Sequence, residues 1–145
     1  MSDFYTIQGD YFEDHRGKVT FANTFDMTAI KRFYILTHHN THIVRGWQGH
    51  KNETKWFYCQ NGSFLINIIR PLNIQFPTGE EQIDCVQLEA GDNKILCVPG
   101  GHFTGIKSEV APSSLLIFSD CTLDISGLDD YRQAENFWTF KTEIL

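Results

Sequence analysis

Residues 41–62, THIVRGWQGHKNETKWFYCQNG, decide how this chain reads. A run from His42 to Trp47 leads into the polar side chains of Gln48 and His50. A short polar loop follows, then a second run, Lys55–Cys59, and the pair Asn61-Gly62. Two strands joined in this way bring polar side chains into the mouth of a small β-barrel. Asn61-Gly62 is also a strong hairpin signal, because a two-residue type I′ turn needs positive φ at both positions. The expectation is that Lys55–Cys59 and Ser63–Arg70 are antiparallel neighbours.

Similar short apolar and aromatic runs recur along the chain, separated by turn residues, as in an all-β sandwich or barrel. The remaining candidate strands are Lys18–Phe25, Ile30–Thr37, Gln82–Leu88, Ile95–Val98, His102–Lys107 and Ser114–Ser119. Breaks fall at Pro77-Thr78-Gly79, Ala90-Gly91-Asp92, Gly100-Gly101 and Ala111-Pro112. Only the tail reads as helix. Asp129 is placed to cap a short segment through Phe137, with Leu128, Tyr131, Ala134 and Phe137/Trp138 recurring at three to four residues. No repeat or linker divides the chain, so residues 1–145 read as one domain.

The 145 residues are 41% apolar with 11 glycines, a globular composition. Twelve Lys+Arg against 18 Asp+Glu give a net charge of −6, which argues against nucleic-acid binding through diffuse positive charge. No apolar stretch is long enough to span a membrane, and MSDFYTIQGD lacks the pattern of a signal peptide, so a cytoplasmic location is expected. Cys59, Cys85, Cys97 and Cys121 form no C-x-x-C pair and read as small buried hydrophobes. In this acidic chain Arg45, Lys51 and Lys55, joined by Arg16, Arg32 and Arg70, suit a phosphate-bearing small molecule. His50 beside such cations is a candidate base near neutral pH, and a base with a cation but no metal suits proton abstraction next to a carbonyl.

The stretch also resembles the first cupin motif, and Gly91–Ile106 (GDNKILCVPGGHFTGI) resembles the second. In that comparison Gln48 and His50 occupy the two histidine places, Lys55 stands where a Glu ligand would be, and Thr104 replaces the last histidine. One histidine is too few donors for a divalent ion, so neither a metal nor another cofactor is expected. The chain resembles more specifically the metal-independent cupins of deoxysugar-nucleotide biosynthesis. These are the dTDP-4-keto-6-deoxyglucose 3,5-epimerases and the dTDP-sugar 3,4-ketoisomerases, WxcM-like proteins included. The matching blocks are DHRGKVTFANTF (14–25), IKRFYI (30–35), RGWQGHK (45–51), Lys55, INIIR (66–70), VPGGHFTGI (98–106) and LDDYRQAENFW (128–138).

The resemblance implies a cupin jelly-roll (double-stranded β-helix) barrel with a short C-terminal helix, and a homodimer whose N-terminal strand crosses to the partner. It implies that Arg16, Arg45 and Lys55 contact a sugar nucleotide. It also places His50 at the second histidine of the H-x-H pair. Gln48, at the place of the family's principal base, cannot remove a carbon-bound proton, though its amide can read a ligand hydroxyl. The tyrosine expected as opposing acid near Ser114–Ser119 is missing, which leaves Tyr34 as the candidate acid. The site expected is therefore His50, Lys55 and Tyr34 for chemistry, with Arg16, Arg45, Gln48, Lys51 and Thr104 binding substrate. Isomerisation of a dTDP-4-keto-6-deoxyhexose is the activity expected; the alternative is a sugar-nucleotide-binding cupin or accessory subunit without catalysis. His38, His39, His42 and His102 read as loop or rim residues. Regular alternation puts Arg45 on the face opposite Gln48 and His50, so it joins them only at the rim or through a bulge.

Overall fold

The structure, a computed structural model, describes residues 3–145. Its elements are β1 (Tyr5–Gln8), β2 (Asp10–Asp14), β3 (Gly17–Phe21), β4 (Arg32–His38), β5 (Val44–His50), β6 (Lys55–Asn61), β7 (Ser63–Ile69), β8 (Ile83–Glu89), β9 (Lys94–Val98), β10 (His102–Ser108), β11 (Ser113–Ser119), α1 (Leu123–Gly127) and β12 (Tyr131–Arg132). Two five-stranded antiparallel sheets, β1-β9-β6-β11-β4 and β12-β5-β10-β7-β8, enclose the core, and β2-β3 form a separate hairpin. This is the all-β architecture expected from the spacing of the runs, in the double-sheet jelly-roll form that the resemblance implies.

Strand patterning explains the layers. In β11, Leu115 and Ile117 alternate inward with Leu116 and Phe118 facing the other way. The inward set meets Phe57 from β6, Phe64 and Ile66 from β7, Leu88 from β8, Leu96 from β9 and Ile106 from β10 in one apolar cluster. Every residue of β7 is buried, because the C-terminal segment covers the outer face of its sheet. There Trp47, Ile69, Phe103 and Trp138 pack together, and Asn67 exchanges two hydrogen bonds with the Lys141 backbone, at 2.7 and 2.8 Å. Cys59, Cys85 and Cys97 are buried and free; Cys121 is half-buried.

Three expectations are corrected. The Asn61-Gly62 link does not close a hairpin: β6 pairs with β9 and β11, whereas β7 pairs with β8 and β10. Gly62 has φ of 80° but Asn61 is not in the left-handed region, so a type I′ turn is not formed. Instead the chain steps from one sheet to the other, and a Cβ on Gly62 would overlap Ser113, whose Oγ accepts a hydrogen bond from Ser63 N at 3.1 Å.

The helix lies upstream of its expected place, at α1. Across Asp129–Phe137 the aromatic spacing marks an irregular segment laid on the second sheet, with Tyr131–Arg132 added as its edge strand and Leu128 left 85% exposed. Aromatic residues recurring every three to four positions can bury one by one from an irregular chain, and here packing on Trp47 outweighs local helix preference. His38 and His102, read as rim residues, are buried in β4 and β10. Strands β1 and β2 were not anticipated: β1 is only four residues long, with Ile7 its one residue packed on a core cluster, and β2 is mostly exposed.

Candidate active site

A cavity of about 500 Å³ opens between the sheets. Its polar walls are Tyr34 from β4, Arg45 and Gln48 from β5, Lys55 from β6, Thr104 from β10 and Arg132 from β12, over an apolar floor that includes Phe57 and Ile117. Arg45 reaches this space through a bulge. Between Gln48 and Arg45 the β5 strand advances three residues while β10 advances two, from Thr104 to Ile106, which reverses the alternation. Gly105 makes room at this bulge, since a Cβ there would come 2.5 Å from the Trp47 ring.

The cavity gathers three cations and no carboxylate among its lining residues. Lys55 is 8% exposed, and among the described residues it makes no ion pair; its Nζ lies 5.7 Å from the centre of the Tyr34 ring. A nearly buried ammonium with no direct ion pair favours an anionic ligand. Gln48 donates to Asp130 Oδ1 at 3.1 Å, and Arg132 Nε donates to the same carboxylate at 3.0 Å, which ties two wall residues together. Burial works to raise the Asp130 carboxyl, but these hydrogen bonds bring it below its ordinary range.

His50 occupies the same face of β5 as Gln48, one pleat further along, and is 6% exposed. It does not itself line the cavity. Its Nδ1 lies 2.6 Å from the Asp129 carbonyl oxygen and 3.4 Å from Glu53 Oε1. Both neighbours are acceptors, so the ring proton belongs on Nδ1 and Nε2 carries a lone pair. Nε2 is buried with no hydrogen-bond partner. Burial, and then the Lys55 ammonium, lower the imidazole below its ordinary value against the opposing pull of Asp129 and Glu53. The side chain is therefore neutral at pH 7 and able to accept a proton.

Behind His50 lies a knot of satisfied polar groups. The Asp129 carboxylate accepts from the backbone N–H groups of Lys51, Asn52 and Glu53 at 2.7, 2.8 and 2.9 Å, fixing the loop after β5. Glu53 accepts from Ser119 Oγ, from Ser126 Oγ on α1 and from Arg32, whose guanidinium sits over the Tyr34 ring. Among the described residues, no group of three or more His, Cys, Asp or Glu side chains is arranged to hold a metal ion.

Of the residues expected from sequence, Tyr34, Arg45, Gln48, Lys55 and Thr104 come together in the cavity, with His50 adjoining it. Arg16 and Lys51 do not. Arg16 sits at the exposed tip of the β2–β3 hairpin, 2.7 Å from Asp14, and Lys51 lines a separate depression with Arg70 and Tyr131. Arg132, Glu53, Asp129 and Asp130 were missed. The tail block that contains Asp129, Asp130 and Arg132 was read as helix, and Asn52–Thr54 was read only as a short polar loop. The acidic pair just ahead of an arginine in the tail was the available signal.

With this geometry in view, the family model described as "WxcM-like, C-terminal" (FdtA) matches residues 2–141. The chain belongs to the WxcM-like, C-terminal family. A comparison with curated proteins found no match. Among solved structures, this WxcM-like chain is similar to a 3,4-ketoisomerase from Helicobacter canadensis, with 17% identity, 94% of this chain and 96% of the other covered, and a TM-score of 0.72. A histidine-to-asparagine variant of a 3,4-ketoisomerase from Thermoanaerobacterium thermosaccharolyticum, in complex with TDP-4-keto-6-deoxyglucose, is 22% identical over 94% and 92% of the two chains, at a TM-score of 0.70. The dTDP-4-dehydrorhamnose 3,5-epimerase from Bacillus anthracis, with TDP and PPi bound, is 19% identical over 98% and 88%, at 0.71. The cupin barrel of these enzymes is the fold of this WxcM-like chain.

Proposed function

We propose that this chain is a sugar-nucleotide isomerase that acts on a dTDP-4-keto-6-deoxyhexose by base-catalysed enolisation. The observation that carries the reading is the cavity with Arg45, Lys55 and Arg132 in its walls, no carboxylate among them, and a neutral His50 with an unpartnered Nε2 beside it. Arginines match the diphosphate of a nucleotide sugar. Lys55 is suited to the oxyanion that develops at the sugar ketone. In the 3,4-ketoisomerase version, His50 Nε2 takes the proton from C3 and the C3–H electron pair forms the C3=C4 bond of an enediolate. The protonated His50 exchanges with solvent and then delivers a proton to C4 while a hydroxyl proton passes from O3 to O4, so the ketone moves to C3 with one proton removed from carbon and one returned. Tyr34, which lines the same cavity, relays the proton between the oxygens in this reading. A single base suffices for this shift, whereas a 3,5-epimerisation needs a donor on the opposite sugar face.

The whole of residues 1–145 acts as one cupin domain in this reading, as a homodimer in the cytoplasm. Tyr11, Phe12 and Val19 of the β2–β3 hairpin and Phe33 and Ile35 of β4 are all more than half exposed, and a partner copy would cover them. Such a partner would also give the hairpin's Arg16 a route to a neighbouring cavity.

A second reading, a binding cupin without catalysis, is favoured by Gln48, an amide held by Asp130 at the place where the family carries a histidine. Incubation with dTDP-4-keto-6-deoxyglucose in heavy water separates the two. Deuterium entering the sugar ring, and a loss of exchange of about a hundredfold or more in His50→Asn, is the result expected of an isomerase. Retained TDP binding with no exchange establishes the binding module, and Gln48→His should then raise exchange from that baseline.

A further inference from the structure

The knot behind His50 contains an ionisable group that the enolisation scheme does not use. Glu53 has a side chain with 0% exposure, in a loop whose neighbours look like ordinary polar chain. Burial works to raise its carboxyl, but hydrogen bonds from Ser119 and Ser126, and the nearby His50 and Lys55, bring it below its ordinary range. It is therefore a buried anion. Four parts of the chain are arranged to keep it so. Oε2 accepts from Ser119 Oγ at the end of β11, at 2.6 Å, and from Arg32 Nη2 on β4, at 3.3 Å. Oε1 accepts from Ser126 Oγ on α1, at 2.5 Å, and faces His50 Nδ1 at 3.4 Å. The single helix among the described residues thus delivers a hydroxyl to this carboxylate.

We propose that Glu53 is a positioning residue for His50: with the Asp129 carbonyl it keeps the ring proton on Nδ1, and its charge stabilises the imidazolium that forms when Nε2 takes a proton from carbon. The role of His50 as base rests on the isomerase reading, but the electrostatic coupling does not. A neutral imidazole needs only one acceptor at Nδ1, which the Asp129 carbonyl supplies at 2.6 Å. An ionised carboxylate at the same atom adds nothing to a resting neutral ring that an amide would not, and becomes important only when the ring is charged. The other groups that act on His50 are the Lys55 ammonium from β6, which opposes protonation, and the Asp129 and Asp130 carboxylates from the segment after α1. His102 is opposite it on β10.

The test is Glu53→Gln in the full chain, which keeps the volume and still offers an oxygen to a serine hydroxyl. Histidine-selective nitrogen labelling and NMR follow the His50 ring against pH with no substrate present. The expected result is a titration midpoint lower by about one pH unit. With the keto sugar, the acid limb of the exchange profile moves down by the same amount, maximal exchange falls about tenfold, KM stays unchanged, and Glu53→Asp recovers part of the loss. An unmoved His50 midpoint in folded Glu53→Gln overturns the proposal. If that variant does not fold, Ser119→Ala and Ser126→Ala take its place: with fewer donors on the carboxylate the His50 midpoint rises, and no change overturns the proposal. A shifted midpoint without ring exchange in wild type upholds the coupling while the isomerase reading fails.

Discussion

The cavity and the knot behind it lie side by side yet treat charge in opposite ways. In the knot, the Asp129 and Glu53 carboxylates are matched by backbone amides, serine hydroxyls and Arg32. In the cavity wall, Lys55 makes no direct ion pair among the described residues and the lining contains no carboxylate. Satisfied buried groups give rigidity, whereas donors left without partners hold affinity in reserve for a ligand. His50 lies at the boundary, with Nδ1 committed to the knot and Nε2 left free. The comparison teaches that stability and binding are separable here by residue.

Three perturbations test that separation. Asp129→Ala strips acceptors from three backbone N–H groups and should cost about 3 kcal/mol of stability, read as a lower midpoint in urea unfolding. If the variant is as stable as wild type, the knot does not brace the loop. Arg45→Ala and Arg132→Ala should leave the unfolding midpoint in place while each weakens TDP binding about tenfold, measured by calorimetry. A stability loss without a change in affinity would erase the distinction between the two regions.

The smallest effect is a pH dependence. Burial lowers His38, whose two ring nitrogens have no hydrogen-bond partner, and also lowers His50. A folded-state value below the unfolded one, about 6.5 for histidine, means that the unfolded chain binds protons first as pH falls. Stability is then full above about pH 6.5 and declines as pH drops through the folded-state values. Unfolding curves at pH 7.5 and 5.5 should show the decline, and His38→Gln should flatten part of it. An equal slope in that variant would remove His38 from the account.

Much of the fold was legible because β6, β7, β10 and β11 each contain a local apolar run, and a run needs no knowledge of its partner to be recognised. Pairing was less legible. Asn61-Gly62 has hairpin composition, but which strands lie alongside β6 and β7 depends on chain far away, at β9, β11, β8 and β10. The tail misled for a related reason: Tyr131, Phe137 and Trp138 show a helical spacing but pack individually around Trp47. In the candidate site, the spacing of Gln48, His50 and Lys55 was readable. Glu53 was not, since KNET looks like solvated loop until Ser119, Ser126 and Arg32 are brought around it.

The amino-acid order by itself determined the β class, the supply of cations in an acidic chain, and a single imidazole at the two places of the H-x-H pair, His50, eleven residues before Asn61. Only the tertiary structure decided which cations share a cavity: Arg45 enters through the β5 bulge and Arg132 arrives on β12, while Arg16 and Lys51 point elsewhere. The physical reason is range. Strand formation follows local periodicity, but the environment of a charge is set by side chains that long-range pairing brings to it, and the chain does not spell out those neighbours in sequence.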